Sequence, residues 1–157
     1  MHDVPSNAHT VVLTTVQASI QACFDVAIDL EAYPDWVAGI TAVTVDERDD
    51  AGRPVRARFE ATGMGRRSAY ALAYDLGQAP NQLHWSMVEG DLTSRLEGAY
   101  LFEPSATSPD DATDVTYELL VDLAVPLPGY IKRRAEDKIV EAALERFRNR
   151  VESLHQD

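Results

Sequence analysis

The feature that most constrains this fold is a change in the spacing of apolar residues. From about residue 40, apolar and polar residues alternate for about eighty residues, in six segments separated by short turn-like stretches. A period of two is typical of strands that bury one face. Short connections favour antiparallel neighbours, since parallel neighbours need long crossovers. The sequence therefore predicts a six-stranded antiparallel meander.

The segments on either side of the meander complete the predicted element order. His9–Val16 is rich in Val and Thr and predicts a first strand, and Ser19–Leu30 predicts a helix that its first residue would cap. Glu31–Val37 is expected to form a second short helical piece with Pro34 in its first turn. Gly129–Leu154 predicts a long amphipathic helix. Its expected sheet-facing stripe, widened by Val140 and Leu144, is Ile131, Ala135, Ile139, Ala143, Phe147 and Val151.

The dimensions of these elements predict an enclosed space. The long helix would measure about 39 Å by about 10–12 Å, whereas seven strands spaced about 4.8 Å apart form a sheet about 30 Å across. One helix cannot cover a flat sheet of that width, so the sheet must curl around the helix or enclose a cavity with it. We therefore predict an α+β fold with a curled seven-stranded antiparallel sheet around a long C-terminal helix. Residues 1–8 are expected to form a flexible tail, and residues 9–155 a single domain.

Aromatic side chains with polar tips predominate on the face of the strands that would meet this helix. Apolar bodies with a few hydrogen-bonding groups are typical of pockets for small hydrophobic molecules. Alternatively, the rings fill the core and bond to one another or to the backbone. In the binding hypothesis Trp36 closes one end of the cavity. The other predicted lining residues are Phe59, Tyr70, Tyr74, Trp85, Met87, Tyr100, Tyr117, Ile139, Ala143 and Phe147.

Charge and hydropathy limit the classes of partner. Twenty-six acidic against fourteen basic residues give a formal net charge of −12. This balance disfavours nucleic acid and anionic membrane surfaces, because both are bound through a basic face. No stretch approaches the roughly 20 apolar residues that span a bilayer, and Met1–Thr10 lacks the regions of a signal peptide. We therefore expect a cytoplasmic protein without nucleic acid partners or stable membrane insertion.

Motifs for catalysis or for binding of metals and cofactors do not occur in the sequence. The four histidines include no pair at metal-ligand spacing, and Cys23, the single cysteine, excludes disulfides and multi-cysteine sites. Cys23 lies on an apolar helical stripe, where it is expected to be a small buried hydrophobe. Neither a nucleophile elbow nor a phosphate-binding glycine loop occurs. The sequence therefore predicts no metal, no cofactor and no assigned catalytic residue.

Three stretches resemble a known superfamily. They are Phe24–Trp36, which ends in Tyr-Pro-x-Trp, then Trp85–Gly90 running into Leu96–Tyr100, and Val125–Gly129 followed by Lys132–Glu136. Together they resemble the START-like, or helix-grip (SRPBCC), superfamily, in particular its polyketide cyclase/dehydrase and lipid-transport branch, which includes actinobacterial members and coenzyme Q-binding relatives. The resemblance implies a cavity for a hydrophobic molecule between the sheet and the last helix. Its typical residues, expected here to be structural, are Tyr33, Pro34, Trp36, Gly98 and Pro128.

Three functions remain open at this point. The favoured one is binding or transport of a lipid, a quinone or an aromatic polyketide-like molecule. An aromatic polyketide cyclase/dehydrase would use cavity tyrosines to handle protons, with Arg66 or Arg67 at the cavity mouth. A protein-interaction module with little or no cavity would use the local basic cluster, which comprises Arg53, Arg56, Arg58, Arg66 and Arg67.

Overall fold

The computed structural model describes residues 9–63, 65–90, 93–123 and 128–155. The expected flexible tail and part of the third family-like stretch, residues 125–127, lie outside these ranges. The elements are β1 (His9–Val16), α1 (Ile20–Ile28), a 3₁₀-helix (Leu30–Asp35), β2 (Ile40–Arg48), β3 (Pro54–Gly63), β4 (Arg66–Asp75), β5 (Gln82–Gly90), β6 (Thr93–Pro104), β7 (Thr113–Leu123) and α2 (Gly129–Leu154).

All seven of these strands form one antiparallel sheet. Its order is β1-β7-β6-β5-β4-β3-β2, so β2 to β7 form the predicted meander. The first strand joins the far edge, with His9 opposite Leu120 and Val16 opposite Thr113. The predicted α+β architecture, a curled sheet around a long C-terminal helix, is confirmed.

Register shifts help to curl this sheet. The β2–β3 ladder shifts between Ile40 and Ala42 and twice more between Val45 and Arg48. The β4–β5 ladder skips Val88, because Ala71 pairs with Glu89 while Leu72 pairs with Met87. Such irregularities bend a strand and increase its twist, which closes the sheet toward α2.

The two short helices are joined end to end. The Ser19 hydroxyl accepts a hydrogen bond from the Ala22 amide at 3.1 Å, which confirms the predicted cap of α1. The second piece spans Leu30–Asp35 rather than the predicted Glu31–Val37, so both predicted ends are wrong and Pro34 lies in the last turn instead of the first. Leu30 is buried in the core, which brings the first turn one residue earlier.

Helix α2 packs against β1, β7 and α1 along one face. Its buried residues are Glu136, Val140, Leu144, Phe147 and Val151. The predicted stripe is therefore wrong in its first half, where Ile131 and Ile139 are exposed. A strict spacing of four advances about 40° per step around a helix, so a stripe of that spacing leaves the core face. Neither α-helix in the described ranges has both the length and the apolarity needed to cross a membrane.

Candidate functional site

A cavity of about 630 Å³ lies between the concave face of the sheet and α2. Strands β3 to β7 supply its wall, α2 supplies one side, and the segment Val37–Ile40 after the 3₁₀-helix supplies another. Pockets of about 300–1,000 Å³ are typical of sites for small organic molecules. The curl of the sheet therefore leaves space that the side chains of α2 do not fill.

Four aromatic rings form the buried wall of the cavity. The Trp85 ring centroid lies 6.1 Å from that of Tyr74, 5.4 Å from that of Tyr100 and 6.0 Å from that of Tyr117. The three tyrosines are only 9%, 4% and 8% exposed. They lie together because Tyr74 is opposite Trp85, and Tyr100 is opposite Tyr117, on adjacent strands. Cross-strand partners share one face of a sheet, so alternation keeps all four rings inside.

Gly98 makes room for this cluster. A Cβ atom at Gly98 would lie 2.4 Å from Cζ2 and 2.8 Å from Nε1 of Trp85, far closer than any real contact. The strand pairs without a register shift at this residue. The glycine allows the indole ring to lie directly on β6.

The hydroxyl groups of Tyr74, Tyr100 and Tyr117 have no protein partner within the described ranges. Each of these oxygens keeps some surface that other protein atoms do not cover, so the three hydroxyl groups are open to the cavity. Tyr33 differs, because its hydroxyl donates to the Ala27 carbonyl at 2.5 Å. A purely structural core would pair these polar tips with one another or with the backbone. The wall therefore presents unpartnered phenols to whatever occupies the cavity.

Burial sets the protonation state of these phenols. It raises the pKa of Tyr70 to about 12. Burial, together with neighbouring tyrosines, raises the pKa of Tyr74, Tyr100 and Tyr117 well above the usual range. All four groups remain neutral donors near pH 7 and can offer protons or hydrogen bonds to carbonyl, ether or hydroxyl oxygens.

Other chemistry has little support in the described ranges. Cys23 is fully buried, as expected, and burial is the main cause that raises the pKa of its thiol to about 11. A thiol in that state is a poor nucleophile. No group of three or more His, Cys, Asp or Glu side chains that could hold a metal ion occurs there.

The mouth of the cavity is basic and partly apolar. Arg66 at the start of β4 and Lys138 and Arg146 on α2 line it, and all three are exposed. Ile139 and Ala142 lie between the two α2 cations along the same edge. The cavity lining contains no aspartate or glutamate among the described residues.

The structure brings most of the predicted lining residues together around this cavity. They are Trp36, Phe59, Tyr70, Tyr74, Trp85, Tyr100, Tyr117, Ile139 and Ala143. Trp36 lies beside the mouth segment, with its ring centroid 5.1 Å from that of Tyr33 and 6.1 Å from that of Phe147.

Two predicted residues lie elsewhere. Phe147 is fully buried behind the wall, with its ring centroid 4.7 Å from that of Tyr100. Met87 borders a separate, open depression of about 950 Å³ near Arg67, Val88 and Glu89. Met87 pairs with Leu72, which lines the cavity, and it packs against the buried core, so alternation gives its face of the sheet but not the depression that its side chain borders.

Several lining residues were not predicted from the sequence. Leu72, Leu119 and Val121 share the inward faces of predicted strands, so alternation already contained the signal for them. Ala38 and Gly39 lie in the connection between two predicted elements, where there is no periodic signal, and Val37 and Ile40 lie at the ends of those elements. Lys138, Ala142 and Arg146 each lie one residue before a member of the predicted α2 stripe. The charge of Lys138 and Arg146, and the strict spacing of four used for Ala142, left them out of that stripe.

Comparisons with known proteins agree with this architecture. Residues 16–148 match the family model described as polyketide cyclase / dehydrase and lipid transport. No curated protein matches this sequence. Among solved structures, the chain is similar to a START superfamily protein from Mycobacterium smegmatis, with 25% identity, a TM-score of 0.82, and coverage of 93% of this chain and 98% of that one.

Two further solved structures are similar in fold. The aromatase/cyclase Zhui from a Streptomyces species has 17% identity and a TM-score of 0.73, and the match covers 94% of this chain and 95% of that one. A STAR-related lipid transfer protein from Xanthomonas axonopodis has 16% identity and a TM-score of 0.69, and the match covers 91% of this chain and 85% of that one. At these identities the likeness concerns the fold alone.

Proposed function

Because the chain belongs to the polyketide cyclase/dehydrase and lipid transport family, we propose that it binds a small hydrophobic or aromatic molecule between the sheet and α2. The observation that carries this proposal is the cavity of about 630 Å³ with its wall of four aromatic rings. Its unpartnered phenols supply the few polar contacts that would orient such a ligand.

The energetics favour an apolar ligand with one or more acceptor oxygens. Burial of apolar surface contributes roughly 25 cal/mol per Å² before the costs of ordering the ligand. A phenol that loses water without gaining a partner costs about 1–3 kcal/mol. A ligand oxygen that accepts from Tyr74, Tyr100 or Tyr117 removes this cost, so such a ligand is preferred over a pure hydrocarbon.

Narrowing the cavity tests the proposal directly. Ala143 is half-buried on the cavity side of α2, so Ala143→Trp places an indole ring in the space for the ligand. We expect the variant to bind a solvatochromic hydrophobic dye at least about tenfold more weakly than the wild type, a loss of about 1.4 kcal/mol. The measurement is a fluorescence titration, with circular dichroism to verify the fold.

Glu141→Trp is the matched control for this experiment. Glu141 is exposed on the same helix and does not line the cavity, so its replacement leaves dye binding unchanged. Full dye affinity in folded Ala143→Trp would contradict the proposal. Native mass spectrometry of the freshly purified protein, followed by organic extraction, would identify a bound ligand by its mass.

An aromatic polyketide cyclase/dehydrase is the second candidate function. It is favoured by the neutral, raised-pKa phenols, because a positioned phenol can donate a proton to a carbonyl oxygen. Such an activity requires that Tyr100→Phe lose turnover while it keeps ligand affinity. A carrier would lose at most the one hydrogen bond. The interaction-module hypothesis assumed little or no cavity and has less support from this geometry.

A further inference from the structure

We propose that the ligand carries a negatively charged group, a carboxylate or a phosphate, at the end that faces the cavity mouth. This inference rests on the proposed function and names the chemical class of the ligand: an apolar body with an anionic terminus. The cations at the mouth are the observation that supports an anionic group, and the buried phenols determine which end of the ligand points into the cavity.

The mouth cations are arranged around one opening. Lys138 and Arg146 are eight residues apart on α2, a rise of about 12 Å along the helix. Ala142 lies midway between them in the sequence, and it lines the cavity together with Ile139. Arg66 lines the same cavity from the start of β4. An anionic group at the opening between α2 and β4 would be attracted by all three cations.

These cations have no carboxylate partner within the described ranges. The lining contains no aspartate or glutamate there, although the chain as a whole has 26 acidic residues and a net charge of −12. Neither arginine nor the lysine forms an ion pair with a described residue. Other arginines of the same chain do form such pairs: Arg48 with Glu31, Arg53 with Asp49, Arg58 with Asp46, and Arg95 with Glu97.

An excess of positive charge at an apolar opening favours one class of ligand group. Hydrogen bonds from arginine and lysine to carboxylate or phosphate are shorter and stronger than neutral ones. The apolar side chains of Ile139 and Trp36 line the same cavity as these cations, so the apolar body of a ligand and its anionic end can be bound side by side. A neutral ligand would gain less from the three cations, because it brings no opposite charge to these donors.

The buried end of the cavity favours the uncharged end of the ligand. Tyr74, Tyr100 and Tyr117 are neutral donors without a cation among the residues that form the wall around them. An ionised group there would lose its hydration without gaining an opposite charge, which is costly. The ligand is therefore oriented with its uncharged oxygens against the phenols and its anionic end at the mouth.

A matched pair of probes tests the inference. The probes are cis-parinaric acid and its methyl ester, which share a fluorescent polyene chain and differ in the terminal charge. We expect the wild type to bind the acid about tenfold more tightly than the ester. The triple variant Arg66→Gln/Lys138→Gln/Arg146→Gln should bind the acid as weakly as the ester, with unchanged ester affinity.

Two controls separate a local site from the general field of the protein. The variant Arg56→Gln/Arg133→Gln/Arg134→Gln changes the net charge equally at residues outside the lining, and should keep the preference for the acid. Raising the ionic strength from about 0.05 to about 0.5 M should weaken binding of the acid only, because salt screens exposed charges.

The outcomes distinguish the inference from the proposed function. Equal affinities for acid and ester in the wild type would overturn the anionic terminus and leave the cavity proposal standing. Failure to bind either probe would overturn both proposals. An unchanged acid preference in the mouth variant would overturn the assignment of these three residues.

Discussion

At the scale of single residues, the cavity wall depends on a position without a side chain. Gly98 lies under the Trp85 indole, and that ring in turn contacts the rings of Tyr74, Tyr100 and Tyr117. A methyl group at residue 98 would displace a ring that has aromatic neighbours on three sides. The stability of the wall and the shape of the cavity are therefore coupled through one backbone position.

Gly98→Ala should reduce stability and alter the cavity. Overpacking of this kind typically costs about 1–3 kcal/mol, and we expect the upper half of that range in the free energy of unfolding from urea denaturation. Gly63→Ala is the matched control, since no atom lies within 4 Å of its added Cβ. We expect its effect to stay within about 0.5 kcal/mol.

A double-mutant cycle identifies the cause of the Gly98→Ala effect. If the clash with the indole is responsible, Trp85→Leu in the Gly98→Ala background relieves it, and the two changes couple by about 1 kcal/mol or more. Additive losses would mean that the alanine acts through the backbone of β6 instead.

At the scale of elements, the 3₁₀-helix positions the mouth of the cavity. Its Tyr33 hydroxyl is bonded to the Ala27 carbonyl at the end of α1, and Glu31 pairs with Arg48 of β2 at 2.8 Å. The short helix that these contacts hold leads through Trp36 into the segment Val37–Ile40, which lines the cavity. The short helix therefore connects α1 and β2 and positions the residues beside the cavity mouth; we call it the bracket.

Tyr33→Phe should weaken this bracket. The change leaves the Ala27 carbonyl without its donor, which costs about 1–2 kcal/mol in the free energy of unfolding. It should also weaken dye binding, because the mouth segment loses its tether. Tyr130→Phe is the control. Tyr130 is 79% exposed, so the loss of its hydroxyl should change neither the free energy of unfolding nor dye binding. Equal stability of the two variants would argue against the tether.

Sequence periodicity predicts elements better than it predicts which face of α2 meets which neighbour. The apolar spacing of α2 gives its length and amphipathic character. It does not separate the core face, with Val140 and Leu144, from the cavity face, with Ile139 and Ala143. Two apolar faces side by side on one helix appear in the sequence as one broad stripe. Contacts with other elements decide how that stripe is divided.

At the scale of the whole molecule, the buried tyrosines link stability to alkaline pH. The pKa values of Tyr74, Tyr100 and Tyr117 are raised in the folded protein, whereas in the unfolded chain they are about 10. Their contribution to the free energy of unfolding is therefore fully present below a pH of about 10. It is lost at higher pH, because the unfolded state then releases protons that the folded state keeps.

The expected loss is large enough to measure. At pH 11, each such tyrosine lowers the free energy of unfolding by about 1.4 kcal/mol relative to pH 8. Tyr100→Phe removes one of these groups. Between the two pH values, its free energy of unfolding should therefore fall by about 1.4 kcal/mol less than that of the wild type. Urea denaturation at both pH values provides the comparison. An identical loss in both proteins would show that Tyr100 ionises as freely in the fold as in the unfolded chain.

The fold could be predicted from the sequence much further than the site. Alternation of apolar and polar residues predicts the strands and the inward faces that hold Tyr74, Tyr100 and Tyr117. The curl of the sheet is predicted because the sheet is wider than the helix that must cover it. The mouth is different, because Arg66 and Arg146 are eighty residues apart and no local pattern connects them. Residues that meet only through the tertiary fold leave no periodic signal in the chain.

The pairing of β1 with β7 has a consequence for synthesis on the ribosome. Each strand from β3 to β7 follows its neighbour in the sheet directly, so those ladders can form in the order of translation. Residues 9–16 are made early, yet they pair only with residues 113–120. The core face of α2 then covers β1 and β7 together. Strand β1 therefore remains unpaired until residues 113–120 have been synthesised.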